Sequence, residues 1–146
     1  MEPEPSVRIR TVNALLDAYG SLSITQLLEP LAANFRYQVL PQSLQIEECD
    51  KEAFALKAER IFGVFEKFRM EPLSIAEDAN RGKVVVHAYM DGVFKSGSGQ
   101  WKNECILMIQ LSEDGAEVVE IQEFVDSIKA LEMHHRHARN FLDIRT

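Results

Sequence analysis

The hydrophobic pattern of this chain changes from a helical to a strand period near residue 69, and that change decides what it can fold into. Upstream, Asp50 precedes a stretch, 51–68, in which Phe54, Leu56, Ala58, Ile61, Phe62, Phe65 and Phe68 recur at helical spacings. This predicts a long amphipathic helix with Asp50 as its N-cap. Downstream, residues 70–77, 83–95, 100–111 and 116–125 follow a strand period, separated by Asp-Ala-Asn-Arg-Gly, Ser-Gly-Ser-Gly and Ser-Glu-Asp-Gly. Such short separators make successive strands pair antiparallel.

The flanking segments complete the order. Residues 7–19 place Ile9, Val12, Leu15, Leu16 and Tyr19 on one helix face, with Gly20 as a stop. Ser23 caps a second short helix over 24–32, and 35–40 reads as a strand bounded by Pro41. A last helix runs from Ser127 to about Arg139, capped by Asp126 or Ser127 and rich in His and Arg at its end. Helices gathered on one face of an antiparallel sheet make an α+β domain. The expected architecture is a single domain over 7–139 between a short disordered tail, 1–6, and a C-terminal tail, 140–146. Its long strands curl, so helices covering part of the concave side leave a cone-shaped apolar pocket, a natural small-molecule site.

A chain of 146 residues encloses one core and one pocket. Its net charge of −7 has the wrong sign for a nucleic-acid or anionic-membrane partner. The longest apolar runs, 84–86 and 106–109, are too short for a membrane helix, and the acidic, Pro-rich N-terminus lacks the pattern of a secretory signal. Two cysteines, Cys49 and Cys105, match no disulfide framework or CxxC spacing, so a soluble protein of the reducing cytosol is expected. GxGxxG, P-loop, HExxH and GxSxG motifs are all absent, which disfavours the common cofactor, phosphate, zinc and serine-hydrolase chemistries.

Trp101-Lys102-Asn103-Glu104-Cys105 opens one strand, and Ile121-Gln122-Glu123-Phe124-Val125-Asp126-Ser127 closes the next. With the element order, these segments resemble the SnoaL-like branch of the nuclear transport factor 2-like, cystatin-like superfamily over residues 7–137. Within that branch the chain is similar to small fungal proteins encoded in secondary-metabolite clusters. The resemblance implies a cofactor-free isomerase, cyclase or dehydratase acting on a polyketide, terpenoid or alkaloid intermediate. It also implies a homodimer formed through the exposed sheet face. The same scaffold hosts non-catalytic modules that carry a hydrophobic metabolite or bind a protein, and this is the alternative reading.

Strand alternation decides which side chains share a pocket. A three-residue Glu113-Asp114-Gly115 loop pairs Cys105 with Glu123, Asn103 with Val125 and Leu107 with Ile121, placing Trp101, Asn103, Cys105 and Glu123 on one face. A two-residue Asp-Gly loop instead puts Cys105 opposite Phe124 and turns Glu123 away. The resemblance agrees with the first: it implies polar or aromatic pocket residues at the positions of Trp101 and Cys105, and an acid at Glu123. Where such relatives would offer a tyrosine, this chain has Trp101 and Cys105.

Glu123 is the first candidate for general acid/base work. Walled by Ile121, Val125, Trp101 and helix-borne phenylalanines such as Phe65, its carboxyl would be desolvated and its pKa raised toward neutrality. Arg36 and Gln38 alternate with Tyr37 on the first strand, so one set looks inward. Arg36 could stabilise an enolate or lie salt-bridged on the surface, with Tyr37 as the substitute donor. His87 is a second candidate base, although counting through the Ser-Gly-Ser-Gly turn puts it with Glu104 and Met108 rather than with Trp101. A bulge there would reverse this. Asn103 could donate a hydrogen bond to a substrate oxygen, Trp101 offers a flat wall, and Cys105 suits a small lining residue better than a nucleophile. Asp126 is best explained as an N-cap. His134-His135-Arg136-His137 reads as a solvated basic helix end rather than a metal site.

Overall fold

The computed structural model describes residues 3–136, so the expectations for 1–2 and for 137–146, His137 included, lie outside the described residues. The elements are α1 (Val7–Ser21), α2 (Ile24–Leu28), β1 (Leu31–Leu40), a 3-10 turn at Gln42–Leu44, β2 (Cys49–Asp50), α3 (Lys51–Val64), β3 (Phe65–Asp78), β4 (Lys83–Phe94), β5 (Gln100–Leu111), β6 (Val118–Val125) and α4 (Ser127–Arg136). The strands form one six-stranded open sheet in the order β2-β1-β6-β5-β4-β3. β3 to β6 are an antiparallel meander, while β1 runs parallel to β6. The expected α+β architecture is the one observed, with the helices packed on the concave face. Among the described residues no helix is long and apolar enough to cross a membrane.

Local chemistry accounts for the helix starts. Ser6, Ser23 and Asp50 accept backbone N–H bonds from Ile9 (3.1 Å), Gln26 (3.3 Å) and Ala53 (2.9 Å). Asp126 Oδ1 accepts from the N–H groups of Ile128 (3.0 Å) and Lys129 (3.4 Å), the N-cap role expected of it. α1 passes Gly20 and ends on Leu22, which takes the left-handed conformation itself at φ 55°. α2 is shorter than expected because Leu31 and Ala32 already belong to β1.

α3 also ends early, at Val64, and Phe65 and Phe68 stand on β3. A register shift between Phe65 and Lys67 leaves Glu66 and Lys67 both exposed, so Phe65 and Phe68 both point inward three residues apart. That bulge reproduces a helical spacing inside a strand. The β5–β6 register is likewise displaced: Cys105 pairs with Val125, Leu107 with Glu123 and Ile109 with Ile121. The turn is longer than three residues, closed by Ser112 N–H to the Glu117 carbonyl at 2.8 Å. The shift is by two residues, so every side chain keeps its expected face.

The inner face is apolar where β4, β5 and β6 meet, with Val84, Val86, Leu107, Ile109 and Ile121 all buried completely. Phe65 stacks on Phe94 (4.9 Å between centroids) and approaches Trp101 (6.0 Å), its ring occupying the space over Gly92. A Cβ at Gly92 would lie 2.4 Å from that ring. Gly92→Ala is therefore expected to destabilise the fold by about 1–3 kcal/mol, since overpacking must displace a buried aromatic. Urea unfolding would measure it, and an unchanged midpoint would contradict the packing.

Candidate active site

A cavity of about 60 Å³ lies between the sheet and the helices. α1 contributes Tyr19 to its wall; β1 contributes Tyr37 and Val39; α3 contributes Phe54, Ala58, Ile61 and Phe62, with Lys57 on the same helix. Phe68, Met70 and Met90 come from β3 and β4, Trp101 and Asn103 from β5, Glu123 and Val125 from β6, and Ala130 from α4. The lining is mostly hydrocarbon with a few polar groups, the usual make-up of a small-molecule site.

Glu123 is the acidic member. It is 6% exposed, level with Leu107 on β5 and Val39 on β1. Tyr37 Oη donates to its Oε2 at 3.0 Å. Phe54 packs on Tyr37 with ring centroids 4.7 Å apart and so holds the phenol at the carboxylate. Burial pushes the Glu123 carboxyl up to about 7, against the smaller lowering effect of the Tyr37 hydrogen bond. Burial, then the charge of Glu123, holds the phenols of Tyr37 and Tyr19 well above the ordinary tyrosine range. At neutral pH the site therefore contains one carboxyl poised between its two protonation states and two phenols fixed as neutral donors.

The structure brings Glu123, Asn103, Trp101 and Tyr37 to this cavity and places the other candidates elsewhere; their locations correct several expectations. Arg36 and Gln38 face outward on β1, because Tyr37 and Val39 take the inward positions. Arg36 Nε bonds Glu48 Oε1 at 3.1 Å on the surface. His87 lies on the convex face beside Glu104, Nε2 to Oε2 at 2.5 Å, its cross-strand partner being Ile106. Neither Arg36 nor His87 can reach the carboxyl of Glu123. Cys105, Phe65 and Ile121 are core residues rather than cavity wall. The Cys105 thiol, 3.9 Å from Met70 Sδ, is pushed far above its ordinary pKa by burial and by the charges of Glu123 and Glu104, so it is not a nucleophile. On α4, His134 is buried and not part of a solvated basic end, while the adjacent His135 is exposed.

Tyr19 is a cavity-lining phenol that the sequence does not single out. Its spacing with Val12, Leu15 and Leu16 is that of any core aromatic, and no local signal distinguishes a phenol facing a cavity. Lys57, Met70 and Met90 were similarly anonymous.

The fold is the one seen in solved SnoaL-like structures. BvnE pinacolase from Penicillium brevicompactum superposes with a TM-score of 0.84 at 16% identity, over 90% of this chain and 94% of that one. AusH from Aspergillus nidulans does so at 0.78 and 19%, over 94% and 100%, and a Jannaschia protein named for its likeness to SnoaL-like polyketide cyclases at 0.70 and 15%, over 90% and 95%. In sequence, the chain is 24% identical to core atranone cluster protein 11 of Stachybotrys chlorohalonatus over 88% of this chain and 95% of that protein. It is 31% identical to the monooxygenase dmxR10 of Cryptosporiopsis, but over 46% of this chain and only 45% of that relative. No family model matches the sequence.

Proposed function

We propose that this protein is a cofactor-independent enzyme of fungal secondary metabolism, an isomerase or cyclase with dehydration as the second choice, acting on a hydrophobic carbonyl intermediate. The observation that carries this is a buried carboxyl with a pKa of about 7, held by a phenol in an otherwise apolar cavity. Glu123 removes a proton from the carbon next to the substrate carbonyl, and the negative charge passes to oxygen. Tyr19, the second phenol of that wall, donates to the resulting enolate oxygen. Protonated Glu123 then returns its proton to another carbon, or to a leaving hydroxyl, and is ready for the next cycle. The pinacolase and polyketide cyclase names among the fold's relatives support this reading.

The monooxygenase names of three sequence relatives favour a second fate for the same enolate. Dioxygen would intercept it, converting a methylene to a carbonyl and releasing one water. Metabolite profiling of the host with the gene deleted, then complemented with wild type or Glu123→Gln, separates the outcomes. An accumulating precursor isomeric with the lost product, or heavier by one water, supports the first. A precursor richer by two hydrogens and poorer by one oxygen supports the second. An unchanged profile contradicts both and returns the non-catalytic carrier as the better account.

We also propose that a second copy covers the convex face. Phe124 and Ile106 are direct cross-strand neighbours there, 46% and 39% exposed, flanked by Val85 and by Leu40. Sedimentation at micromolar concentration is expected to give a dimer that Phe124→Asp dissociates. A wild-type species of 16.6 kDa would refute it.

A further inference from the structure

Two polar atoms of the cavity wall remain after the acid and the phenols have been assigned roles. Trp101 Nε1 and Asn103 Oδ1 are both buried with no hydrogen-bond partner among the described residues. Orphaned groups of this kind carry an uncompensated desolvation cost, and folded proteins keep few of them. Trp101 and Asn103 stand two apart on the inward face of β5, so they are adjacent along one wall.

They are also remote from the acid. Glu123 is level with Leu107, four residues and therefore about 13 Å along β5 from Asn103. β6 ends at Val125, which pairs with Cys105, so no β6 residue faces Asn103. The chain passes instead into α4, whose Ala130 lines the cavity. Phe68, Met70 and Met90 supply apolar wall to the same cavity. It is thus an apolar chamber with a proton-transfer group at one end and an unsatisfied donor–acceptor pair at the other.

We propose that Trp101 and Asn103 form a hydroxyl-recognising subsite, selecting a largely apolar substrate whose reacting carbonyl lies at Glu123 and which carries an alcohol or phenol at its far end. A single hydroxyl satisfies both orphans, accepting from the indole N–H and donating to the amide oxygen. If the amide turns over, the same hydroxyl oxygen accepts from both groups through its two lone pairs. A methyl group in its place leaves both atoms unpaired, and sites built around a polar group discriminate strongly against analogues lacking it. Phe65, lodged over Gly92, fixes the indole from behind. The substrate class rests on the proposed function, since that reading places the carbonyl at Glu123, while the subsite itself is read by binding alone.

Isothermal titration calorimetry with 6-hydroxy-1-tetralone and 6-methyl-1-tetralone tests it. These bicyclic ketones differ only in a hydroxyl or methyl across the rings from the carbonyl. Wild type is expected to bind the hydroxy compound about tenfold or more tightly. Trp101→Phe and Asn103→Leu should each bring the ratio toward one, whereas Glu123→Gln should retain it. If Asn103→Leu does not fold, Trp101→Phe carries the test. Equal wild-type affinities, no saturable binding of the hydroxy compound, or a preference undiminished by Trp101→Phe would overturn the subsite. Deuterium exchange at the carbon beside the ketone reads Glu123 separately. A hydroxyl preference without exchange keeps the subsite and sinks the acid/base role, and exchange without preference does the reverse.

Discussion

Glu123→Gln is expected to fold normally and to lose proton-transfer activity by about 10²–10⁴-fold, the range that a positioned general acid/base supplies. Glutamine keeps the size of the side chain and can still accept from Tyr37 Oη, so the wall around it has no reason to collapse. What it lacks is a group that binds and releases a proton near neutrality. The loss should fall on kcat more than on KM, because the apolar lining that binds substrate is untouched. Mass-spectrometric uptake of deuterium from heavy water at the substrate's α-carbon measures it. Tyr37→Phe provides the graded companion: it removes the hydrogen bond that lowers the carboxyl pKa, so the limb of the pH profile belonging to Glu123 should move to higher pH. A fully active Glu123→Gln protein would remove the residue from the mechanism.

The same carboxyl should make the protein's stability depend on pH. Its pKa in the fold, about 7, lies above its ordinary value of 4.5, so the folded state binds more protons than the unfolded one between those values. The stability this represents is fully present below about pH 4.5 and is lost as pH rises through about pH 7. The difference corresponds to about 3 kcal/mol. Glu77, Asp78 and Asp114 shift the opposite way through hydrogen bonds to Ser6 and Arg8, to Arg81, and to Ala116 and Ser112. Their effect appears as pH falls below their ordinary values of 4.5 and 3.8, outside the Glu123 window. Urea midpoints between pH 5 and 8 should therefore decline for wild type and stay level for Glu123→Gln. Parallel slopes in the two proteins would show that the carboxyl is not desolvated.

Alternation made the strands legible, and it carried the site where parity alone mattered. Trp101, Asn103 and Glu123 share the inner face even though the β5–β6 register differs by two residues from the simplest hairpin, because a shift of two conserves facing. His87 fell on the convex side for the same reason. The first strand was ambiguous, since Arg36 and Gln38 alternate with Tyr37 in an isolated segment that gives no sign of which set faces the helices. The parallel pairing of β1 with β6 settles that, and a contact between segments so far apart in the chain leaves no local trace. Phe65 misled because a bulge put strand residues at helical spacing. Tyr19 was hidden because a phenol at a cavity and a phenylalanine-like core residue occupy the same stripe.

The most direct measurement is a carbon-13 NMR titration of the protein labelled at the glutamate side-chain carboxyl carbons, run beside Glu123→Gln. One carboxyl resonance should titrate near pH 7 and be missing from the variant. If every glutamate titrates near its ordinary value, or the resonance near pH 7 survives in Glu123→Gln, then Glu123 is not the buried, neutral-range acid on which the proposed chemistry depends.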